Sequence, residues 1–309
     1  MIKYIGSKRL LVPWIVSVIQ RVHEQTALTE VCDLFTGSTR VGHALKAAGF
    51  NVHANDLYTY SYVLARTLIG ADECQYPCER IQPLLDELNA LEGIEGYFTR
   101  EFCVAANFFQ PKNGRRIDAI RLRIDEMAGK DTTLACILLT SLMLAADRVD
   151  STTGLQMAFL KSYAARSATE LNLKYPAILP GPGKVTQEDA IELASSVTSD
   201  LVYIDPPYNQ HAYLSNYHVW ETLVLNDQPN AYGVARKRED CKSRKSPFNF
   251  KRAALPAMKA LVEKLDVPHL LVSFSNEGFY TAADLEGVLE SWGHVVRMSR
   301  PHPATSAPA

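Results

Sequence analysis

Apolar residues recur three and four positions apart from Leu10 to Val22, which predicts an amphipathic helix with Pro13 tolerated near its first turn. The spacing then changes. Glu30 to Phe35 reads as a strand running into the small-residue turn Thr36-Gly37-Ser38-Thr39-Arg40-Val41-Gly42. His43 to Ala48 follows as a helix closed by Gly49, and Phe50 to Asn55 as a second strand with Asp56 at its end. From Leu57 to about Tyr175 the pattern is helical with polar loops, including Asp118 to Met127 and Leu134 to Arg148, and no strand is predicted there. After the loop Pro180-Gly181-Pro182-Gly183, a short strand and turn are predicted at Val185 to Asp189 and a buried strand at Leu201 to Ile204. A helix from Leu255 to Leu265, a strand at His269 to Phe274, a helix near Ala282 to Glu290 and a strand at His294 to Met298 complete the series. Pro301 to Ala309 reads as a frayed tail.

Strands alternating with helices predict a doubly wound, mostly parallel α/β domain of the Rossmann-like kind in two sequence pieces, residues 1–69 and 176–300, with a helical insertion over 70–175. Ligands in such sheets bind where the carboxyl ends of the strands meet. The chain has 309 residues, 47% hydrophobic and 21% charged, enough for a sizeable core. Its net charge of −2 provides no global basic field, so a nucleic-acid partner has to be held by a local patch. Six scattered cysteines and no charged-then-apolar leader point to the cytoplasm. Cys74 and Cys78 lack a second pair at matching spacing, so no metal site is expected, and the apolar run Leu134 to Ala146 is too short for a bilayer and reads as a core helix.

Candidate chemistry centres on Asp205-Pro206-Pro207-Tyr208, directly after the apolar run Leu201 to Ile204. A carboxylate and a carbonyl are two acceptors for a planar amine, the prolines hold them rigid, and Tyr208 supplies a ring on which a base can stack. In the first β-turn-α-β unit, the Phe35-Thr36-Gly37-Ser38-Thr39 turn allows close approach of a ligand, and Asp56 can accept from both hydroxyls of a ribose. The turn lacks the glycine spacing of a dinucleotide site, so an adenosyl cofactor without phosphates fits it better. Lys8, in Tyr4-Ile5-Gly6-Ser7-Lys8, can neutralise a cofactor carboxylate. Arg236, Lys237, Arg238, Lys242, Arg244, Lys245, Lys251 and Arg252 form a cationic stripe with Phe248 and Phe250 interleaved, and Lys112, Arg115, Arg116, Arg121 and Arg123 form a second one in the insertion. These are the expected phosphate contacts.

In order and content these segments resemble the Dam-like N6-adenine DNA methyltransferases of the alpha arrangement. Lys3 to Lys8 is similar to their N-terminal motif, Asp33-Leu34-Phe35-Thr36-Gly37-Ser38 to their cofactor turn, Asp205 to Tyr208 to their catalytic motif and Ser273-Phe274-Ser275-Asn276 to a later strand-end signature. The resemblance implies Tyr4, Lys8, Phe35, Gly37, Ser38, Asp56, Asp189 and Asp205 as contacts for S-adenosylmethionine, with Asp189, in Glu188-Asp189-Ala190, meeting the cofactor's adenine. It also implies double-stranded DNA as substrate, with the insertion in the place of the target-recognition domain. Ser38 and Thr39 depart from the consecutive glycines frequent in that turn, and the family's hairpin signature for a target such as GATC is missing from the insertion. A monomer, acting alone or beside a cognate restriction endonuclease, is expected. The alternatives are transfer to an RNA base amine and, against the glycine spacing, a nicotinamide-dependent oxidoreductase.

Overall fold

The computed structural model describes residues 1–6 and 8–300. The expected tail, 301–309, and Ser7 of the N-terminal motif lie outside the described residues. Helix α1 (Val12–Thr26) leads into β1 (Glu30–Asp33), α2 (Arg40–Ala47) and β2 (Asn51–Asn55); the chain returns as β3 (Lys184–Thr186), α8 (Ala190–Leu193) and β4 (Leu201–Ile204). A fifth strand, β7 (His269–Val272), lies between α11 (Ala254–Lys264) and α12 (Ala282–Glu290). All pair in parallel in the order β3-β2-β1-β4-β7. β1 therefore has β2 on one side and β4 on the other, and the crevice of this doubly wound sheet opens between the ends of β1 and β4.

Both sheet faces are covered, which is why the strands read as nearly continuous apolar runs. Cys32, Leu34, Val202 and Ile204 pack with residues of α8 and α11, and with Leu285 of α12. Their neighbours along the strands, Val31, Leu201 and Tyr203, face the other way onto Ile15 and Ile19 of α1, Val41 and Leu45 of α2 and Ile69 of a π-helical turn, Arg66–Gly70. Period-two alternation thus supplies two cores from one sheet.

The segment between β2 and β3 is helical, as its periodicity predicted: α3 (Thr59–Ala65), α4 (Cys78–Asn89), α5 (Tyr97–Thr99), α6 (Pro111–Ala128) and α7 (Thr132–Val149). An isolated antiparallel bridge joins Thr152 to Phe159. By length and composition α7 could cross a membrane, but it packs against α6 and α3 and is largely buried. The insertion's core also takes in residues well beyond 175. Leu214 of α9 (Tyr213–Asn216), Val219, Trp220 and Leu223 of α10 (His218–Leu225), and Cys241 all belong to it. Between α10 and α11, β5 (Ala231–Tyr232) and β6 (Lys237–Arg238) form a short antiparallel hairpin that periodicity did not predict, its residues being too few to show alternation.

The strand predicted at His294 to Met298 is not formed. Trp292 anchors the end of α12 by donating from Nε1 to the Leu265 carbonyl at 3.0 Å, and the following residues leave Val296 and Met298 68% and 42% exposed. β-branched residues favour a strand only where a neighbour completes the ladder, and among the described residues β7 pairs with β4 alone.

Candidate active site

At the end of β1 the chain turns through Thr36, Gly37 and Ser38 to Thr39, the residue before α2. Gly37 has φ +50° and Thr39 φ +64°, so a β-branched residue occupies a left-handed position that usually favours glycine. The turn is tied to the end of β2. The Thr36 amide donates to the Asn55 carbonyl at 2.9 Å and the Gly37 amide to Asp56 Oδ2 at 2.9 Å, while Asp56 Oδ1 accepts from the Tyr58 amide at 3.0 Å. Burial, partly offset by these amides, pushes the Asp56 pKa up to about 6. Asp33 lies beneath the turn, its Oδ2 accepting from Thr36 Oγ1 at 3.0 Å and the Gly42 amide at 3.1 Å, and burial pushes its pKa up to about 7.

Across the crevice, β4 delivers Asp205, whose Oδ1 lies 2.8 Å from Lys8 Nζ and otherwise has no hydrogen-bond partner among the described residues. Burial raises the Asp205 pKa while Lys8 opposes that shift; burial works against the Lys8 ammonium, yet Asp205 holds its pKa above the ordinary value. The Lys8 ammonium is 5.8 Å from the centre of the Tyr208 ring. An aromatic wall closes one side: Tyr4 stacks on Tyr213 and Tyr217 with centroids 5.3 and 4.7 Å apart, and its hydroxyl lies 3.4 Å from that of Tyr60. Ile5 donates its amide to the Tyr217 hydroxyl and Lys3 donates its own to Asp147, so the N-terminal segment is strapped across the site onto the insertion.

Most of these groups border one cleft that opens to solvent, although Pro206 and Tyr208 of the expected catalytic corner are not among its lining residues. Tyr4, Lys8, Phe35, Gly37, Ser38, Asp56, Asp189 and Asp205 all face it, together with Pro207. Asp189 also caps α8, its Oδ1 accepting from the Ile191 and Glu192 amides at 2.9 and 3.4 Å. The cleft also contains residues that sequence reasoning missed. Tyr203 shares a strand face with Asp205 at a spacing of two, a signal that was present. Tyr58, Ser246 and Phe248 arrive by tertiary contact, Phe248 standing edge-on to Phe35 at 5.5 Å.

Several expected phosphate contacts are occupied inside the protein. Arg238 is 4% exposed, pairing with Asp227 at 2.6 Å and Asp240 at 2.7 Å, which makes it a strut of the β5–β6 region rather than a surface cation. Arg244 pairs with the fully buried Glu221 at 3.1 Å and with Asp240 at 3.1 Å, and Arg236 donates to Glu101 at 2.6 Å. In the insertion, Arg116 donates to the Leu171 and Asn89 carbonyls, both at 2.6 Å, and Arg121 to those of Leu223 and Val224. These guanidiniums satisfy loop and helix-end carbonyls, a use that a linear charge count cannot distinguish from phosphate binding. Arg115 stays exposed beside Glu95, and Lys242, Lys245, Lys251 and Arg252 are exposed, Lys242 resting over the Tyr232 ring at 4.5 Å.

A parallel sheet with a glycine turn held by the acid of the next strand, facing a carboxylate-proline-proline corner, defines a Rossmann-like α/β transferase of the methyltransferase class. The model of the D12 class N6 adenine-specific DNA methyltransferases matches residues 4–275, and the chain belongs to that family. It is similar to Type II methyltransferase M.NlaIII of Neisseria lactamica, 33% identical over 94% of this chain and 88% of that protein. It is also similar to Modification methylase StsI of Streptococcus sanguinis and Type II methyltransferase M.FokI of Planomicrobium okeanokoites, each 32% identical over 94% of this chain. It spans only 46% and 47% of their lengths. No solved structure shows significant similarity to the chain.

Proposed function

We propose that this adenine-specific DNA methyltransferase uses S-adenosylmethionine in the cleft between β1 and β4 and acts on an adenine flipped out of duplex DNA. The carrying observation is the convergence of the Gly37 turn, Asp56 and Asp205 on one cavity. The residues present fit the cofactor. Each Asp56 oxygen takes one backbone amide and keeps lone-pair capacity for a ribose hydroxyl, while a Cβ at Gly37 would fill the cradle beneath Tyr4. Tyr4, Phe35, Ser38 and Asp189 complete the adenosyl side and Lys8 the charged end. The cofactor supplies an activated methyl group.

What the protein must then do is orient a weak nucleophile. The adenine amino group has its lone pair delocalised into the ring. Asp205 and the Pro206 carbonyl accept its two hydrogens and hold the nitrogen with its lone pair toward the donor, and Pro207 keeps the corner rigid. Positive charge that develops on the nitrogen is stabilised by Asp205. Burial raises the basicity of that carboxylate, which suits it to take the proton afterwards. Flipping the base costs a few kcal/mol. Stacking on Tyr208 returns about 1–3 kcal/mol.

The duplex lies along the half-buried Lys237 and the exposed Lys242, Lys245 and Lys251, with Arg115 as the outlying contact on the insertion. The names of the relatives, type II methyltransferases and a modification methylase, support a modification role; a separate cognate restriction endonuclease, a cytoplasmic location and a monomeric state belong to the same proposal. Methylation-detecting sequencing of DNA from a host expressing the protein tests this reading. N6-methyladenine at one recognition sequence, absent with Asp205→Asn, is expected. Unmodified DNA with methylated RNA, or modification that survives Asp205→Asn, overturns it.

A further inference from the structure

Tyr203 is 2% exposed and its hydroxyl has no hydrogen-bond partner among the described residues. A phenylalanine would fill the same volume on β4 without burying an unpaired oxygen, and buried polar groups without partners are rare because each forfeits its hydration. The residue also lines the cleft. It sits opposite Asp33 in the β1–β4 register and two positions before Asp205, so all three side chains leave one face of the sheet. The side chain of Ser273, just after β7, lies close by and partly opposes the rise in the phenol's pKa, but the contact falls outside hydrogen-bond geometry. Burial and the nearby Asp205 and Asp33 carboxylates raise the phenol's pKa well above the ordinary value. It remains neutral in use and able to donate.

The position along the cleft selects the ligand group. The ends of β2 and β3, with Asp56 and Asp189, take the adenosyl part under the reading above, and Asp205 marks the reacting methyl. What remains over β1 and β4 is the amino-acid end of the donor. We propose that the Tyr203 hydroxyl is a cofactor contact that donates a hydrogen bond to the carboxylate of this aminocarboxylate end. The inference rests on the cofactor reading and adds to it a residue that no motif marks. The tyrosine thus trades an unpaired hydroxyl in the free enzyme for a charge-assisted bond in the complex.

The test is isothermal titration of the wild-type protein and Tyr203→Phe with S-adenosylhomocysteine, which carries the aminocarboxylate, and with 5′-methylthioadenosine, which does not. Tyr203→Phe should bind S-adenosylhomocysteine about tenfold more weakly, equivalent to about 1.4 kcal/mol. Its affinity for 5′-methylthioadenosine should stay within about twofold of wild type, since that ligand has no group for the hydroxyl. The free variant should melt no lower than wild type, a readout on which a purely structural hydroxyl has the opposite sign. Equal losses for both ligands, unchanged affinity for S-adenosylhomocysteine, or a lower melting temperature would each overturn the assignment. Failure of the wild-type protein to bind either ligand would instead remove the cofactor reading itself, and the assignment with it.

Discussion

Gly37→Ala isolates the contribution of the cofactor turn. A Cβ there would lie 2.9 Å from the Tyr4 hydroxyl and 3.0 and 3.1 Å from two ring atoms, closer than such contacts occur without displacement. Tyr4 has little room to yield because it stacks on both Tyr213 and Tyr217. The backbone contribution, an alanine at φ +50°, is about 1–2 kcal/mol. Overpacking against a held ring adds about 1–3 kcal/mol. Gly49→Ala is the internal control, since its φ is +92° and a Cβ there meets nothing within 4 Å. Urea unfolding of the two variants should therefore show Gly37→Ala less stable than Gly49→Ala by about 1–3 kcal/mol. Adding Tyr4→Ala should recover about 1–2 kcal/mol of the Gly37→Ala loss as a coupling energy. The variant should also bind S-adenosylhomocysteine more weakly, because the displaced turn carries the amide that holds Asp56. Equal destabilisation at positions 37 and 49 with no coupling to Tyr4 would refute the close-packed cradle.

Asp205→Ala should lose at least about a hundredfold in methylation rate, as expected for a group acting on developing charge, while gel-shift affinity for the target duplex changes little. For pH, Asp33 titrates at about 7 and Asp56 at about 6 in the folded protein against 3.8 ordinarily. The fold then binds more protons than the unfolded chain, so the free enzyme should lose stability as pH rises from about 4 to 7, and Asp56→Asn should flatten the profile. Thermal melts across that range check the sign, and S-adenosylhomocysteine affinity should rise over the same interval as the carboxylates ionise. Lys245→Ala and Lys251→Ala should each lower the slope of log K against log salt for DNA by about 1. Arg238→Ala should instead destabilise the fold by about 1–3 kcal/mol, because Asp227 loses its cation while Asp240 keeps only Arg244.

Much of the site's framework follows from local sequence. The turn after β1, Asp56 after β2 and Asp205 after β4 are placed by strand-to-turn transitions that periodicity and small residues mark directly, because in a parallel sheet every strand end faces the same edge. The helical character of residues 57–175 is legible for the same reason: a spacing of three and four survives without knowledge of what covers the apolar face. Adjacency is not local. That β4 lies beside β1, so that Asp33, Tyr203 and Asp205 share one face of one crevice, follows from the strand order. The roles of the cations were likewise illegible in a linear count. Arg238 and Arg116 are engaged by Asp227, Asp240 and loop carbonyls far away in the chain or across a turn, while Lys245 and Lys251 stay at the surface. The unformed strand at 294–298 has the same origin, since a ladder needs a second chain segment at hydrogen-bonding distance. Sequence by itself determined which groups sit at strand mouths and the chemistry they can perform. Tertiary structure alone decided which mouths face one another and which charges remain free, because both depend on contacts whose partners are distant along the chain.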